Sequence, residues 1–215
     1  MRKTFGVIGL GRFGFHVAKT LAEAGMEVIA IDKDRDKVRR ISDLVTYAYV
    51  ADALDEKALE ESGILTADTV VISVGQNVEA SILVAVLLVS RGVKEVVAKA
   101  INPLHGEVLR RLGVHRVVYP EREMAIKLAR SLMLTGVFQE VPFAPGYSIF
   151  ELEAPQRLVG KTLKETDLRN KFRISVLAIK RKGSVIVNPG ANDRIEQGDV
   201  LLILASEDSI HRLQS

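Results

Sequence analysis

Phe5-Gly6-Val7-Ile8-Gly9-Leu10-Gly11-Arg12-Phe13-Gly14 is the stretch that decides the fold. A short apolar run enters a G-x-G-x-x-G spacing, and a helical pattern follows it. In such a strand–loop–helix unit each glycine has its own task. Gly9 permits the tight turn, Gly11 lets phosphate oxygens approach the backbone, and Gly14 lets helix and strand pack closely. The helix start offers free N–H groups and a partial positive charge to a phosphate. Asp32 closes the next apolar run, Val28-Ile29-Ala30-Ile31, 18 residues after Gly14, where a carboxylate can accept hydrogen bonds from ribose hydroxyls. Three glycines forming a plain turn do not require this context. The acid also disfavours a 2′-phosphate, so NADP is not expected.

Outward from that unit, β-branched runs alternate with helical patterns. Strands are predicted at Thr4–Ile8, Glu27–Asp32, Thr46–Val50, Thr69–Ser73, Val96–Ala100 and Arg116–Tyr119. Helices are predicted near 12–24, 34–42, 55–62, 77–91, 103–112 and 121–134. Such alternation implies right-handed crossovers and a parallel sheet covered on both faces. The expected fold is therefore α/β: a Rossmann-type, doubly wound parallel domain over residues 1–135, with a crossover helix near 121–134. Gly136, Pro142, Pro145 and Gly146 read as a linker. Residues 146–215 read as a small α+β domain: strand 147–153, helix 162–169, strands 174–181, 184–187 and 199–205, and helix 207–213. Helix 77–91 has almost no polar face, which implies burial on more than one side. Tight packing on the sheet and a subunit interface both satisfy that.

The bulk properties narrow the class. The 215 residues carry a net charge of +3 and 47% hydrophobic residues. The mean hydropathy is +0.16 and the pI about 9.1. No Lys/Arg block is long enough to argue for nucleic acid, so no nucleic-acid partner is expected. The absence of cysteine excludes a disulfide scaffold and thiolate chemistry. The N-terminus runs straight into a strand, so no signal peptide is expected. The most apolar stretch, Ile82 to Val89, is far shorter than the ~20 residues of a spanning helix.

Further candidate residues fall at the carboxyl ends of strands, the rim where open α/β sheets bind ligands. Arg12 adds a full charge inside the loop, suited to a di- or triphosphate tail; an exposed first-turn arginine reads equally well. Phe13 of the same loop and Lys33, next to Asp32, are counted with the binding residues. Asp52, with Ala53 beside it, faces an adenine or caps a helix. Gly75 admits the backbone near the ribose or forms a turn. Lys99 meets phosphate or is a solvated strand end. Glu121, after Pro120, starts a helix, where a carboxylate is mildly stabilising; the alternative is a divalent-cation ligand. His16, His105, His115 and His211 are scattered, and no H-x-x-H, H-E-x-x-H or G-x-S-x-G occurs.

Taken together, Gly9-Leu10-Gly11-Arg12-Phe13-Gly14, Val28 to Asp32, Ala51-Asp52-Ala53, Val96-Val97-Ala98-Lys99-Ala100 and Tyr119-Pro120-Glu121-Arg122-Glu123-Met124 resemble the RCK (KTN) domain of cytosolic regulatory subunits of Ktr- and Trk-type potassium transporters. Leu158-Val159-Gly160-Lys161-Thr162-Leu163, Ser175 to Arg181 and Gly198-Asp199-Val200-Leu201-Leu202 are similar to the family's C-terminal domain. The Ktr A-type subunit is the nearest in kind, with one RCK unit and an arginine in the glycine loop. The resemblance implies ATP and ADP, or alternatively NAD or NADH, bound by Gly9, Gly11, Arg12, Gly14, Asp32 and Asp52. It implies that Arg12 meets the terminal phosphate and that Glu121 lies near Mg or Ca between protomers. It implies homodimers assembled into a ring beneath a membrane potassium-translocating subunit, and so a cytoplasmic protein peripheral to the inner face of the membrane. Some relatives bind cyclic di-AMP between C-terminal domains; Leu168, Arg169, Asn170, Ile174 and Pro189 fall in the corresponding stretch.

An NAD-dependent oxidoreductase would share the Rossmann core. It would also need a proton donor over the nicotinamide. The only histidine after the core is His211, so a non-enzymatic regulator is the expectation.

Overall fold

The structure is a computed structural model that describes residues 3–74, 77–133 and 136–214. It forms two compact units, 1–122 and 123–215.

The N-terminal unit runs β1 (Thr4–Ile8), α1 (Arg12–Glu23), β2 (Glu27–Asp32), α2 (Arg35–Ile41), β3 (Tyr47–Val50), α3 (Glu56–Glu61), β4 (Thr69–Ile72), α4 (Val78–Ser90), β5 (Glu95–Lys99), α5 (Pro103–Arg111) and β6 (Arg116–Val118). The chain continues through α6 (Pro120–Met133). All six strands pair in parallel, in the order β3-β2-β1-β4-β5-β6. The order reverses at β1, which is the switch point of a doubly wound sheet. Side chains alternate along the strands and feed two cores. Ile8, Ile29, Ile31, Val70 and Ile72 pack with Val84, Ala85, Leu88 and Leu109 on one face. Val7, Val28, Ala30 and Val71 pack with Ala18, Val38 and Ile41 on the other. Burial on both faces explains why these strands read as continuous apolar runs.

Helix α4 buries Ser81, Val84, Ala85 and Leu88. Leu83 and Val86 stay 47% and 43% exposed, so the sheet accounts for only part of its apolar surface. No helix among the described residues is long and apolar enough to cross a membrane.

The C-terminal unit carries β7 (Val137–Ala144), β8 (Tyr147–Glu153), α7 (Leu163–Thr166), α8 (Leu168–Phe172), β9 (Ser175–Arg181), β10 (Ser184–Val187), β11 (Val200–Ala205) and α9 (Glu207–Gln214). Its strands are antiparallel, in the order β10-β9-β11-β8-β7. Phe150, Leu152, Ile174, Ile179, Leu201, Ile203 and Ile210 form its core.

One sequence expectation is corrected here. The stretch read as a linker is strand β7, and Ala144 pairs with Tyr147 across a two-residue turn. Pro145 and Gly146 form that turn. Gly146 has φ +78°, the value that the third residue of a type II turn requires and that glycine adopts without strain. Proline is tolerated because β7 is the edge of the sheet, where an N–H is not needed on the outer side. The single predicted helix 162–169 is two short helices, α7 and α8, joined at Asp167 with φ +50°.

Candidate functional site

A cavity of about 860 Å³ opens at the carboxyl ends of β1, β2, β3, β4 and β5. That volume lies in the range of small-molecule and cofactor sites. Gly9, Gly11, Arg12, Phe13, Asp32, Lys33, Asp52, Ala53, Lys99 and Glu121 all line it. Gly14 packs behind it, and Gly75 lies outside the described residues. Ser73, Val74, Asn77, Lys37 and Arg40 also line it.

The glycine loop is shaped by what a side chain would strike. A Cβ at Gly14 would stand 1.9 Å from the Gly9 carbonyl oxygen, so α1 approaches β1 only because Gly14 has none. Gly9 has φ +91°, and a Cβ there would press on the Ser73 backbone at 2.8 Å. A Cβ at Gly11 would meet no protein atom within 4 Å; it would project into open space beside the cavity that Gly11 lines. Helix α1 starts with no side-chain cap and no acid in its first turn. Helices α2, α3, α4 and α5 are capped by Asp34, Asp55, Asn77 and Asn102. The bare N–H groups of α1 thus face the cavity with partial positive charge, a natural seat for an anion.

Asp32 is 7% exposed and ties the loop to β2. Its Oδ2 accepts from the Leu10 N–H at 2.6 Å, and its Oδ1 accepts from the Asp34 N–H at 2.9 Å. Lys37 Nζ donates to Oδ2 at 3.5 Å. Oδ1, with one donor, keeps lone-pair capacity for a hydroxyl. Asp52 accepts from the Leu54 N–H at 2.9 Å and so shapes the turn after β3, while Asp55 supplies the cap of α3.

Lys99 and Glu121 are brought together from the ends of β5 and the start of α6. Lys99 Nζ donates to Glu121 Oε1. Lys99 is 14% exposed in its side chain and Glu121 69%. The Lys99 hydrogen bond holds the Glu121 carboxyl below the usual carboxylate range, and the Arg12 charge adds to this. Among the described residues no group of three or more His, Cys, Asp or Glu could hold a metal. Glu121 faces the Lys99 ammonium.

None of the four histidines lines the cavity. His105 is 3% exposed within α5, where its Nδ1 accepts from the Ile101 N–H and burial pushes its imidazole below the ordinary value. His115 Nδ1 accepts from the Val96 N–H. His211 lines a separate, shallow cavity of the C-terminal unit with Tyr147, Arg173 and Asp208.

Sequence comparison agrees with this architecture in both units. The TrkA-N domain family matches residues 5–120, and the TrkA-C domain family matches residues 147–215. The Ktr system potassium uptake protein C of Bacillus subtilis (strain 168) is 39% identical over 214 residues, spanning 100% of this chain and 97% of that protein. The chain belongs to the Ktr/TrkA family. The Ktr system potassium uptake protein A of the same organism is 35% identical, over 99% of this chain and 96% of that protein. Among solved structures, the GsuK RCK domain aligns with all of this Ktr/TrkA chain and 47% of its own, at TM-score 0.63 and 17% identity. The GsuK channel bound to NAD aligns with all of this chain and 39% of its own, at TM-score 0.63 and 16% identity. At those identities the likeness is one of fold.

Proposed function

We propose that this protein is a regulatory subunit of a membrane potassium uptake system, and that it senses ATP and ADP in the cavity at the carboxyl edge of its parallel sheet. The observation that carries the reading is the pairing of the uncapped start of α1 with the Asp32 carboxylate across the glycine loop. The first suits phosphates and the second a ribose. Adenine would lie on the Asp52 and Ala53 side, with Lys33 at the rim. Arg12 is exposed and lines the cavity, free to reach a terminal phosphate. NAD or NADH is the alternative ligand, supported by the GsuK channel bound to NAD.

The names of the relatives supply the transport system. The protein acts from the cytoplasmic face, held there by a potassium-translocating subunit, and catalyses nothing. The bare Leu83 and Val86 face of α4 supports association into homodimers and a larger ring. A divalent cation near Glu121 would draw its remaining oxygen ligands from nucleotide phosphates or a second protomer. Cyclic di-AMP is proposed for the C-terminal unit through Arg169 and Asn170, which are exposed; Leu168 and Ile174 belong to the core.

Calorimetric titration of the purified protein with ATP, ADP, NADH and NAD tests the central claim. Saturable binding of ATP and ADP supports it, and heat from none of the four removes it.

A further inference from the structure

The C-terminal unit has a cavity of its own, of about 530 Å³, on the side where β8 begins and β11 ends. That volume lies in the range of small-molecule sites. Arg173 lines it from the end of α8 and Arg212 from α9; Tyr147, Ser206, Ser209 and Asp208 share the lining. All six belong to one compact unit.

The fold leaves the polar groups of this cavity unused. Among the described residues neither guanidinium enters an ion pair or a side-chain hydrogen bond, and the Tyr147 hydroxyl has no partner. Ser206 Oγ and Ser209 Oγ lie 2.9 Å apart, and Ser206 Oγ also accepts from the Ser209 N–H at 3.3 Å. One hydroxyl proton makes the contact between the two serines, so the other is available to an acceptor in the cavity. Two cations and two hydroxyl donors thus face one space, against a single carboxylate, Asp208.

The backbone around both arginines is fixed from behind. Arg157 Nη2 donates to the Arg212 carbonyl at 2.9 Å and to the Leu213 carbonyl, and the same guanidinium lies over the Phe172 ring, 5.3 Å from its centroid. One side chain thereby holds the residue before Arg173 and the carbonyl of Arg212 together. Arg173 ends α8 with φ +56°, a left-handed conformation that glycine commonly supplies at a helix end. An arginine there keeps a backbone strain that glycine would remove, and a ligand for its guanidinium gives that strain a use.

We propose that this cavity binds the phosphate group of a small phosphate monoester, with Arg173 and Arg212 as the cations and Tyr147 and the Ser206–Ser209 pair as hydroxyl donors. Guanidinium forks match phosphate oxygens in pairs, and a dianion balances two such charges. Asp208 opposes the ligand and limits its affinity. No residue of the parallel-sheet cavity takes part, and Arg169 and Asn170 do not line this one.

Calorimetric titration of the full-length protein with inorganic phosphate and with glycerol 3-phosphate, against glycerol as the blank, tests this. Saturable heat is expected with both phosphates and none with glycerol. Arg212→Gln should weaken both phosphates on the order of tenfold. Arg173→Gly should weaken them as much while the thermal midpoint stays the same or rises, because glycine suits that φ. A merely structural arginine would lose affinity and stability together. Asp208→Asn should tighten both phosphates. Lys171→Gln removes a nearby exposed charge outside the cavity and should change neither. No heat with either phosphate overturns the proposal, as does binding that survives both arginine substitutions, equal loss in Lys171→Gln, or weaker binding in Asp208→Asn. If Arg173→Gly does not fold, the opposite signs of Arg212→Gln and Asp208→Asn decide.

Discussion

The Leu10 N–H donates to the Asp32 carboxylate at 2.6 Å, so the acid at the end of β2 holds the loop at the end of β1 before any ligand arrives. The same carboxylate accepts from the Asp34 N–H on its other oxygen and orders the entry to α2. A residue predicted to meet a ribose is thus also a clamp. Asp32→Ala should show two effects. Nucleotide affinity should fall by roughly 1.5–3 kcal/mol, the worth of charge-assisted hydrogen bonds. The ligand-free protein should also lose about 1–3 kcal/mol of stability in urea denaturation, because two N–H groups lose their acceptor. An unchanged denaturation midpoint would refute the clamp, and unchanged affinity the ribose contact.

Gly11 and Gly14 separate folding from binding. Gly14→Ala places a methyl on the Gly9 carbonyl and should destabilise the protein by about 1–3 kcal/mol, as overpacking does. Gly11→Ala meets no protein atom and should keep thermal stability nearly unchanged. It should still abolish measurable nucleotide binding, since the methyl projects where phosphate oxygens would approach. A Gly11→Ala protein that binds ATP normally would move the phosphates away from this loop.

Arg12 is the charged side chain inside the loop, and a switch between two arrangements requires a ligand with unequal affinity for them. ATP and ADP are expected to favour different subunit arrangements by small-angle scattering. A contact of ~1.5–3 kcal/mol shifts a two-state equilibrium roughly 10- to 150-fold. Arg12→Ala should shrink the ATP–ADP difference. A variant that retains the full difference makes Arg12 a solvated first-turn residue.

Arg181 binds Asp199 through both Nε, at 2.8 Å, and Nη2, at 2.7 Å, and Asp199 is fully buried. The guanidinium hydrogen bond holds the Asp199 carboxyl below the usual aspartate range. A carboxylate with a lowered native value adds stability above its unfolded value, near 3.9, and loses it as pH falls through the native value. The C-terminal unit should therefore resist acid until below about pH 4. Arg181→Met leaves Asp199 buried without its cation and should cost about 3–5 kcal/mol at neutral pH. Chemical denaturation at pH 7 and a pH titration of circular dichroism check the two statements.

Much of the N-terminal unit was legible because its signals are local. The run from Phe5 to Gly14 and the acid at Asp32 lie within one strand–loop–helix–strand unit, and β1 and β2 span Thr4–Ile8 and Glu27–Asp32, the bounds read from the sequence. What sequence reasoning missed depends on distant residues. The Lys99–Glu121 pair joins positions 22 apart, across a neighbouring strand, and neither residue has an unusual local pattern. Lys37 and Arg40 line the cavity from α2, yet their charges read as an ordinary solvated helix face. A hint for Lys37 was available: it sits one helical turn past Asp34, where a side chain turns back toward Asp32. The run from Gly136 to Gly146 was misread because proline and glycine mark linkers and edge hairpins alike. Only the pairing of β7 with β8 distinguishes them.

That edge strand has a consequence for how copies of the molecule can meet. β7 is the outermost strand on its side of the five-stranded sheet, and an uncovered edge invites a foreign strand to continue the ladder. Pro142 sits within β7 and brings no N–H. The turn after it places Pro145, which brings none either. The edge thereby resists extension into a continuous sheet from molecule to molecule, and open-ended fibre growth is disfavoured at this margin.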